Sequence, residues 1–302
     1  MTTPQPKNKP SDLSFEGLFA PNKTYEYFKN ATEHPFRPAS NKFQLLNAWW
    51  LAEASMLVYV LEHDFVRTSL EQAGFTRTEF FENDCTQSFV ASNDEFAIAC
   101  FRGTEVKEKE DLITDLKFWQ TETAGGGRVH TGFEEALDKV WDNISAHLQD
   151  IQSKSGNQLK VWFTGHSLGA ALATVAADRY QGAQGLYTYG SPRVGSESFR
   201  GDFKVNAYRF VHNNDAVTMV PPPISYQHVG QAKYIDSGGH IHDNPSIWTL
   251  IKTRIAGHFS HAADVLESWS EGGLDAIPTD YLNDHAPIYY AVRIWNNYAR
   301  DQ

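Results

Sequence analysis

Leu159-Lys160-Val161-Trp162-Phe163-Thr164-Gly165-His166-Ser167-Leu168-Gly169, continued by Ala170-Ala171-Leu172-Ala173-Thr174-Val175-Ala176-Ala177, decides the fold of this chain. An apolar, β-branched run meets a glycine-flanked serine and then a small-residue helix. The order is strand, sharp turn, helix. A G-x-S-x-G pentapeptide alone is a weak signal, but its flanks strengthen it. A strand that turns abruptly into a helix crowds the side chains two positions before and after the serine, and glycine has none to crowd. The pattern places the Ser167 Oγ at the carboxyl edge of a parallel sheet. The Leu168 N–H, at a helix N-terminus, points at negative charge formed beside it. The plain alternative is an ordinary βα turn with a capping serine.

Working outward, Phe133, Leu137, Val140, Ile144 and Leu148 recur at helical spacing, so a helix feeds the strand before Ser167. Gly185 to Tyr189 and Val205 to Val211 read as the following strands, and a short one lies near Lys233-Tyr234-Ile235. Such alternation predicts an α/β fold: a mixed, mostly parallel central sheet covered by helices on both faces. Upstream, Phe75 to Phe81, Cys85 to Ala91 and Glu95 to Phe101 predict an antiparallel start to the sheet. A two-residue loop at Ser92-Asn93 would set Cys85 opposite Cys100. Phe43 to Leu61 is apolar nearly all round, which predicts a buried helix with Trp49 and Trp50 in the core. A second helix runs from about Asp64 to Ala73 and ends at Gly74. Further helices are expected at 248–255, 262–269 and 288–298. Six prolines before residue 39 predict an irregular arm, partly disordered, over residues 1–40, with one domain over 41–302.

With 26 basic and 37 acidic residues the net charge is -11, which disfavours nucleic acid as a partner. Two cysteines make no disulfide framework and match no zinc spacing. His240-Ile241-His242-Asp243 could mimic a metal clamp but lacks a further spaced ligand, so neither metal nor organic cofactor is expected. No stretch is long and apolar enough for a transmembrane segment, which leaves at most peripheral contact with a lipid surface. Residues 1–7 lead into a polar stretch without the apolar core of a signal peptide, so the sequence reads as cytoplasmic.

A serine hydroxyl is a poor nucleophile at neutral pH; it needs an imidazole to take its proton and a carboxylate to orient that imidazole. Around a serine elbow the chain order is Ser, acid, His. Asp215 is the best-placed acid, following an apolar strand through His212-Asn213-Asn214, whereas Asp178 lies on the elbow helix and Asp202 precedes a strand. Six histidines follow Asp215, at 228, 240, 242, 258, 261 and 285, and sequence alone barely separates them. His285, in a loop before the final helix, is the one best able to swing over the strand ends.

Several stretches together carry a resemblance. Phe101-Arg102-Gly103-Thr104, Val129-His130-Thr131-Gly132-Phe133, Gly165 to Gly169, Tyr189 to Gly195, Asn214-Asp215 before Val220-Pro221-Pro222, and Asp284-His285 are similar to the motifs of the class 3 lipases. These are fungal-type triacylglycerol lipases of the α/β-hydrolase fold. The resemblance covers roughly Phe43 to Tyr298. It implies a carboxylic ester hydrolase acting on acylglycerol or similar lipid esters, with Ser167, His285 and Asp215 as the triad and Thr104 and Leu168 as oxyanion donors. The segment Glu105 to Trp119 then stands where the family has its lid, with Leu112, Ile113, Phe118 and Trp119 lining the acyl groove. Its first half is charged where secreted fungal members are apolar, which predicts a site open without a lipid interface. A phospholipase A1, a soluble feruloyl-type esterase, or a non-catalytic binder of hydrophobic ligands are the other readings.

Overall fold

The computed structural model describes residues 4–8, 10–19, 23–84, 86–103, 129–156, 158–221, 223, 226–243 and 282–302. Eight strands lie in one sheet in chain order: β1 (Arg77–Asn83), β2 (Thr86–Ser92), β3 (Phe96–Phe101), β4 (Lys160–His166), β5 (Gly185–Tyr189), β6 (Ala207–His212), β7 (Gln231–Ile235) and β8 (Ile241–Asp243). β1 to β3 are antiparallel, β3 through β7 are parallel, and β8 closes the edge antiparallel. This is the mixed, mostly parallel sheet expected from the strand–helix alternation.

The helices form two layers. α2 (Leu45–Leu57) and α7 (Pro287–Arg300) cover one face; α4 (Thr131–Lys154) and α5 (Leu168–Arg179) cover the other. α1 (Phe15–Phe19), α3 (His63–Gln72) and α6 (Glu197–Asp202) are shorter. Alternation along the parallel strands splits the core accordingly. Val161 and Phe163 of β4 join Phe133, Leu137, Val140 and Ile144 of α4, while Trp162 points to the opposite core with Trp49, Trp50 and Trp295. α2 lies wholly within its core, with Trp49 and Leu51 fully buried. That explains its apolar circumference: a sheet and a second helix cover it on different sides.

The β2–β3 turn corrects the sequence reading. Asn93, not Ser92, begins it: the Asn93 N–H donates to the Phe96 carbonyl at 3.0 Å, and the Asn93 Oδ1 accepts the N–H groups of Glu95 and Phe96, each at 3.0 Å. An asparagine side chain that mimics a backbone turn moves the loop by two positions, to Asp94-Glu95. The register becomes Phe89 opposite Cys100. Cys100 is a free, buried thiol whose pKa burial pushes well up, and Cys85 lies outside the described residues. The helices expected at 248–255 and 262–269 lie outside them as well.

His240 and His242, weighed as a metal clamp, flank Ile241 in β8 and share one carboxylate: His242 Nε2 lies 2.8 Å from Asp236 Oδ2, and His240 Nδ1 lies 3.5 Å from Asp236 Oδ1. Among the described residues no group of three or more His, Cys, Asp and Glu side chains could hold a metal ion. No described helix is long and apolar enough to cross a membrane.

Candidate active site

The site lies at the carboxyl ends of the parallel strands, where β4 turns into α5. Ser167 sits in that turn at φ 59° and ψ -130°, a left-handed conformation that costs a side-chain-bearing residue energy and is held by its surroundings. The Ser167 N–H donates to the Tyr189 carbonyl at 3.0 Å, which ties the turn to the end of β5. A side chain at position 165 would strike the Gly169 carbonyl, and one at 169 would strike the Phe101 carbonyl. The two glycines are therefore a steric requirement of this turn. Gly103 is equally constrained, by the Tyr59 hydroxyl, the His166 carbonyl at 2.8 Å and the Ser167 Cβ at 3.1 Å from where its Cβ would lie. The strand end leading to Thr104 thus runs directly beside Ser167. Leu168 opens α5; the Ala170 N–H donates to the Ser167 carbonyl at 3.0 Å, while the first N–H of a helix, here that of Leu168, has no partner within the helix itself.

Two further loops deliver the acid and the base. Asp215, fully buried, caps a 3-10 turn (Ala216–Met219) by accepting the Val217 N–H at 3.0 Å. Its carboxylate faces His285 Nδ1 at 3.0 and 2.9 Å, and His285 is also fully buried. That contact makes Nδ1–H the donor to the carboxylate, so in the neutral ring the lone pair sits on Nε2. Among the described residues, His285 Nε2 is buried and has no protein hydrogen-bond partner. A basic nitrogen left open on the far side of an oriented imidazole is the form a proton acceptor needs. Gly190 (φ 59°) passes so close that a Cβ there would lie 2.7 Å from the imidazole and 2.9 Å from Asp215 Oδ2. The Gly190 turn, adjacent to Tyr189, therefore brings the serine turn and the acid–base pair together. The structure brings Ser167, Asp215 and His285 to one edge; Asp178 stays on α5 and Asp202 at the end of α6.

Several supports escaped the sequence reading. Tyr290, on α7, donates its hydroxyl proton to Asp215 Oδ2 at 2.5 Å and accepts the His212 N–H at 3.1 Å. Burial first, then the Asp215 charge, pushes its phenol pKa well up, so it remains a donor. Asp284 ties the two loops: its Oδ2 accepts from Asn213 Nδ2 at 2.7 Å and the Asn214 N–H at 3.2 Å, and its carbonyl accepts from His212 Nδ1 at 2.9 Å. Burial raises the Asp284 carboxyl and lowers the His212 imidazole. Beneath the site, the Tyr59 hydroxyl donates to His166 Nδ1 at 2.9 Å, and His166 Nε2–H donates to the His285 carbonyl at 2.6 Å. Both bonds are satisfied by neutral His166, whose pKa burial and the nearby His285 hold well below the usual imidazole value. The one sequence signal for these partners was adjacency: Asp284 precedes His285, His166 precedes Ser167, and Tyr290 lies five positions beyond His285. Thr104, Leu112, Ile113, Phe118 and Trp119, with the whole lid segment and the histidines at 258 and 261, lie outside the described residues.

The model of the class 3 lipases matches residues 98–225, a span that holds the serine turn and Asp215. Over that span the chain is similar to the class 3 lipases. Among curated relatives, the secreted mono- and diacylglycerol lipase 1 of Fusarium solani is 40% identical over 136 residues, 42% of this chain and 40% of that protein. The secreted mono- and diacylglycerol lipase A of Penicillium cyclopium is 30% identical over 159 residues, 50% of this chain and 47% of that protein. The chain thus spans about half the length, or less, of these relatives. The crystal structure of a mono- and diacylglycerol lipase from Aspergillus oryzae covers 81% of this chain and 96% of its own, at a TM-score of 0.56 and 22% identity. At that identity the likeness shows the fold, which is that of the α/β-hydrolases. The cytoplasmic expectation is corrected: the matched lipases of Fusarium and Penicillium are named as secreted proteins, which points away from the cytoplasm. Lack of an apolar leader in the first residues was too thin a basis for a compartment.

Proposed function

We propose that the protein is a serine hydrolase of carboxylic esters, acting on acylglycerols or similar lipid esters. The observation that carries this reading is the open Nε2 of a buried His285, oriented by Asp215 beside a serine held at positive φ. Ser167 attacks the ester carbonyl while His285 Nε2 takes its proton and returns it to the leaving alcohol. The imidazolium so formed is stabilised by the Asp215 carboxylate. Water, activated by the same imidazole, then cleaves the acyl-enzyme. The Leu168 N–H and, by the family pattern, Thr104 hold the developing oxyanion.

An arm over residues 1–40 and one catalytic domain over 41–302 complete this proposal, with residues 105–119 as lid and Leu112, Ile113, Phe118 and Trp119 along the acyl groove. The charged first half of that segment, Glu-Val-Lys-Glu-Lys-Glu-Asp, gains little from hydrocarbon, so opening should not require an oil surface. The test is an acyl-ester series followed across the solubility limit. Hydrolysis of short and medium esters in monomeric solution, without a sharp rise when droplets form, agrees with the proposal. Turnover seen only above the limit would contradict the open-site part of it, and no turnover of any ester would contradict the whole.

A further inference from the structure

The N-terminal arm reaches the candidate site at His285. The Phe19 ring, at the end of α1, lies 6.2 Å from the His285 ring and packs against the apolar cores on both faces of the sheet. Its neighbour Leu18 is buried, and α1 packs on α7, the helix that follows His285 and carries Tyr290. A five-residue helix has no stability of its own in water, so something must hold it there.

The holding device lies at the start of the arm. The Lys7 ammonium lies 2.6 Å from Glu53 Oε1 and donates to the Tyr25 hydroxyl at 2.5 Å. It sits over the rings of Tyr25, Trp49 and Trp295, at 4.6, 5.3 and 5.7 Å from their centroids. An ammonium enclosed by ring faces and a buried carboxylate is held by cation–π attraction and a charge-assisted bond together. The backbone is clasped to α7 at the same point: the Lys7 N–H donates to Asn296 Oδ1 at 2.7 Å, Asn296 Nδ2 donates to the Lys7 carbonyl at 3.0 Å, and Trp295 Nε1 donates to the Gln5 carbonyl at 2.8 Å. The arm is therefore anchored on α7 at Lys7 and returns to α7 at Phe19.

We infer that Phe19 forms a wall of the acyl-ester site beside His285 and sets which acyl groups fit, with Lys7 as the positioning residue that keeps the wall in place. The inference rests on the ester-hydrolase reading. A ring beside the imidazole occupies room that a long acyl chain needs near the reacting carbonyl, so it favours short acyl groups. Apolar pockets discriminate by roughly tenfold for a change of this kind.

The experiment compares kcat/KM for p-nitrophenyl acetate and butyrate with octanoate and decanoate, all below their solubility limits. The full chain carries Phe19→Ala, Phe19→Leu, Lys7→Met or Lys7→Arg, and Ser167→Ala serves as the blank. Phe19→Ala should shift the long-to-short ratio roughly tenfold toward long esters, chiefly through KM. Phe19→Leu, which keeps most of the bulk and the fold, should shift it less. Lys7→Met should move it in the same direction as Phe19→Ala, and Lys7→Arg, which keeps the cation, should restore the wild-type ratio. An unchanged ratio in both Phe19 variants, or an equal change for every chain length, would overturn the wall. A wild-type chain that hydrolyses none of the four esters and resists a fluorophosphonate would sink the ester-hydrolase reading itself, and the wall with it.

Discussion

Two fully buried carboxylates stand on helices or turns packed against opposite ends of α7, and they are used differently. Glu53 is saturated: Lys7, the Tyr25 hydroxyl at 2.7 Å and Trp49 Nε1 at 2.8 Å share its Oε1, and the Phe28 N–H donates to Oε2 at 3.1 Å. Asp215 is surrounded as densely, by Val217, Tyr290 and His285, but one of its partners is a titratable ring whose other nitrogen has no hydrogen-bond partner among the described residues. A buried charge with only fixed partners clasps structure. One coupled to an unbonded imidazole nitrogen can pass its influence to a reacting proton.

Breaking the second cluster should therefore cost rate at every acyl length, and breaking the first should cost stability and, through the arm, move only the acyl-length ratio. The largest effects are expected at the serine and at the acid. Ser167→Ala should lower ester turnover on the order of 10³-fold or more without unfolding the chain, since it removes a hydroxyl at a turn and opens no core cavity. Asp215→Asn should fall by a comparable factor because the amide favours the wrong imidazole tautomer; steady-state kinetics with a thermal melt beside it separates rate from folding. Tyr290→Phe comes next. It removes a hydrogen bond to a charged group, about 1.5–3 kcal/mol, which corresponds to roughly 10–100-fold in rate if the bond orients Asp215. Unchanged kcat in that variant would reduce Tyr290 to packing.

Glu53→Gln should spare the acid–base pair and lower stability instead, by about 3–5 kcal/mol, because the Lys7 cation is left in its ring cage without a counter-charge. Denaturant titration reads this directly. The smallest effect is on pH dependence. Burial holds His166 and His228 well below the ordinary imidazole value of 6.5 when folded. Below that value the unfolded chain takes up protons that the folded chain refuses, so stability is full above about pH 7 and declines as pH falls. A melting temperature that falls between pH 7 and pH 5, with a shallower slope in His166→Gln, is the expected record.

The contrast also explains what could be read in the sequence. The serine turn was legible because its sterics are written in consecutive residues: Gly165 and Gly169 are where neighbouring carbonyls leave no room for a side chain. Asp215 was legible because the acid must follow a later strand, and the apolar run before it marks that strand. Tyr290 was not, since its role depends on how α7 crosses the end of β6. Glu53 looked like an interruption in an apolar helix. It is a buried anion whose cation comes from 46 positions away, and no local pattern carries that pairing. The β2–β3 turn was misplaced because Asn93 uses its side chain to start the loop two residues later.

The most direct test of the central claim is covalent. A fluorophosphonate reacts with a serine only where an adjacent base removes its proton and an oxyanion site receives the phosphoryl oxygen. Peptide mapping after treatment of the intact chain should find one equivalent of adduct on Ser167, lost in His285→Ala. A chain that remains unlabelled, or is labelled equally well without His285, would contradict the account.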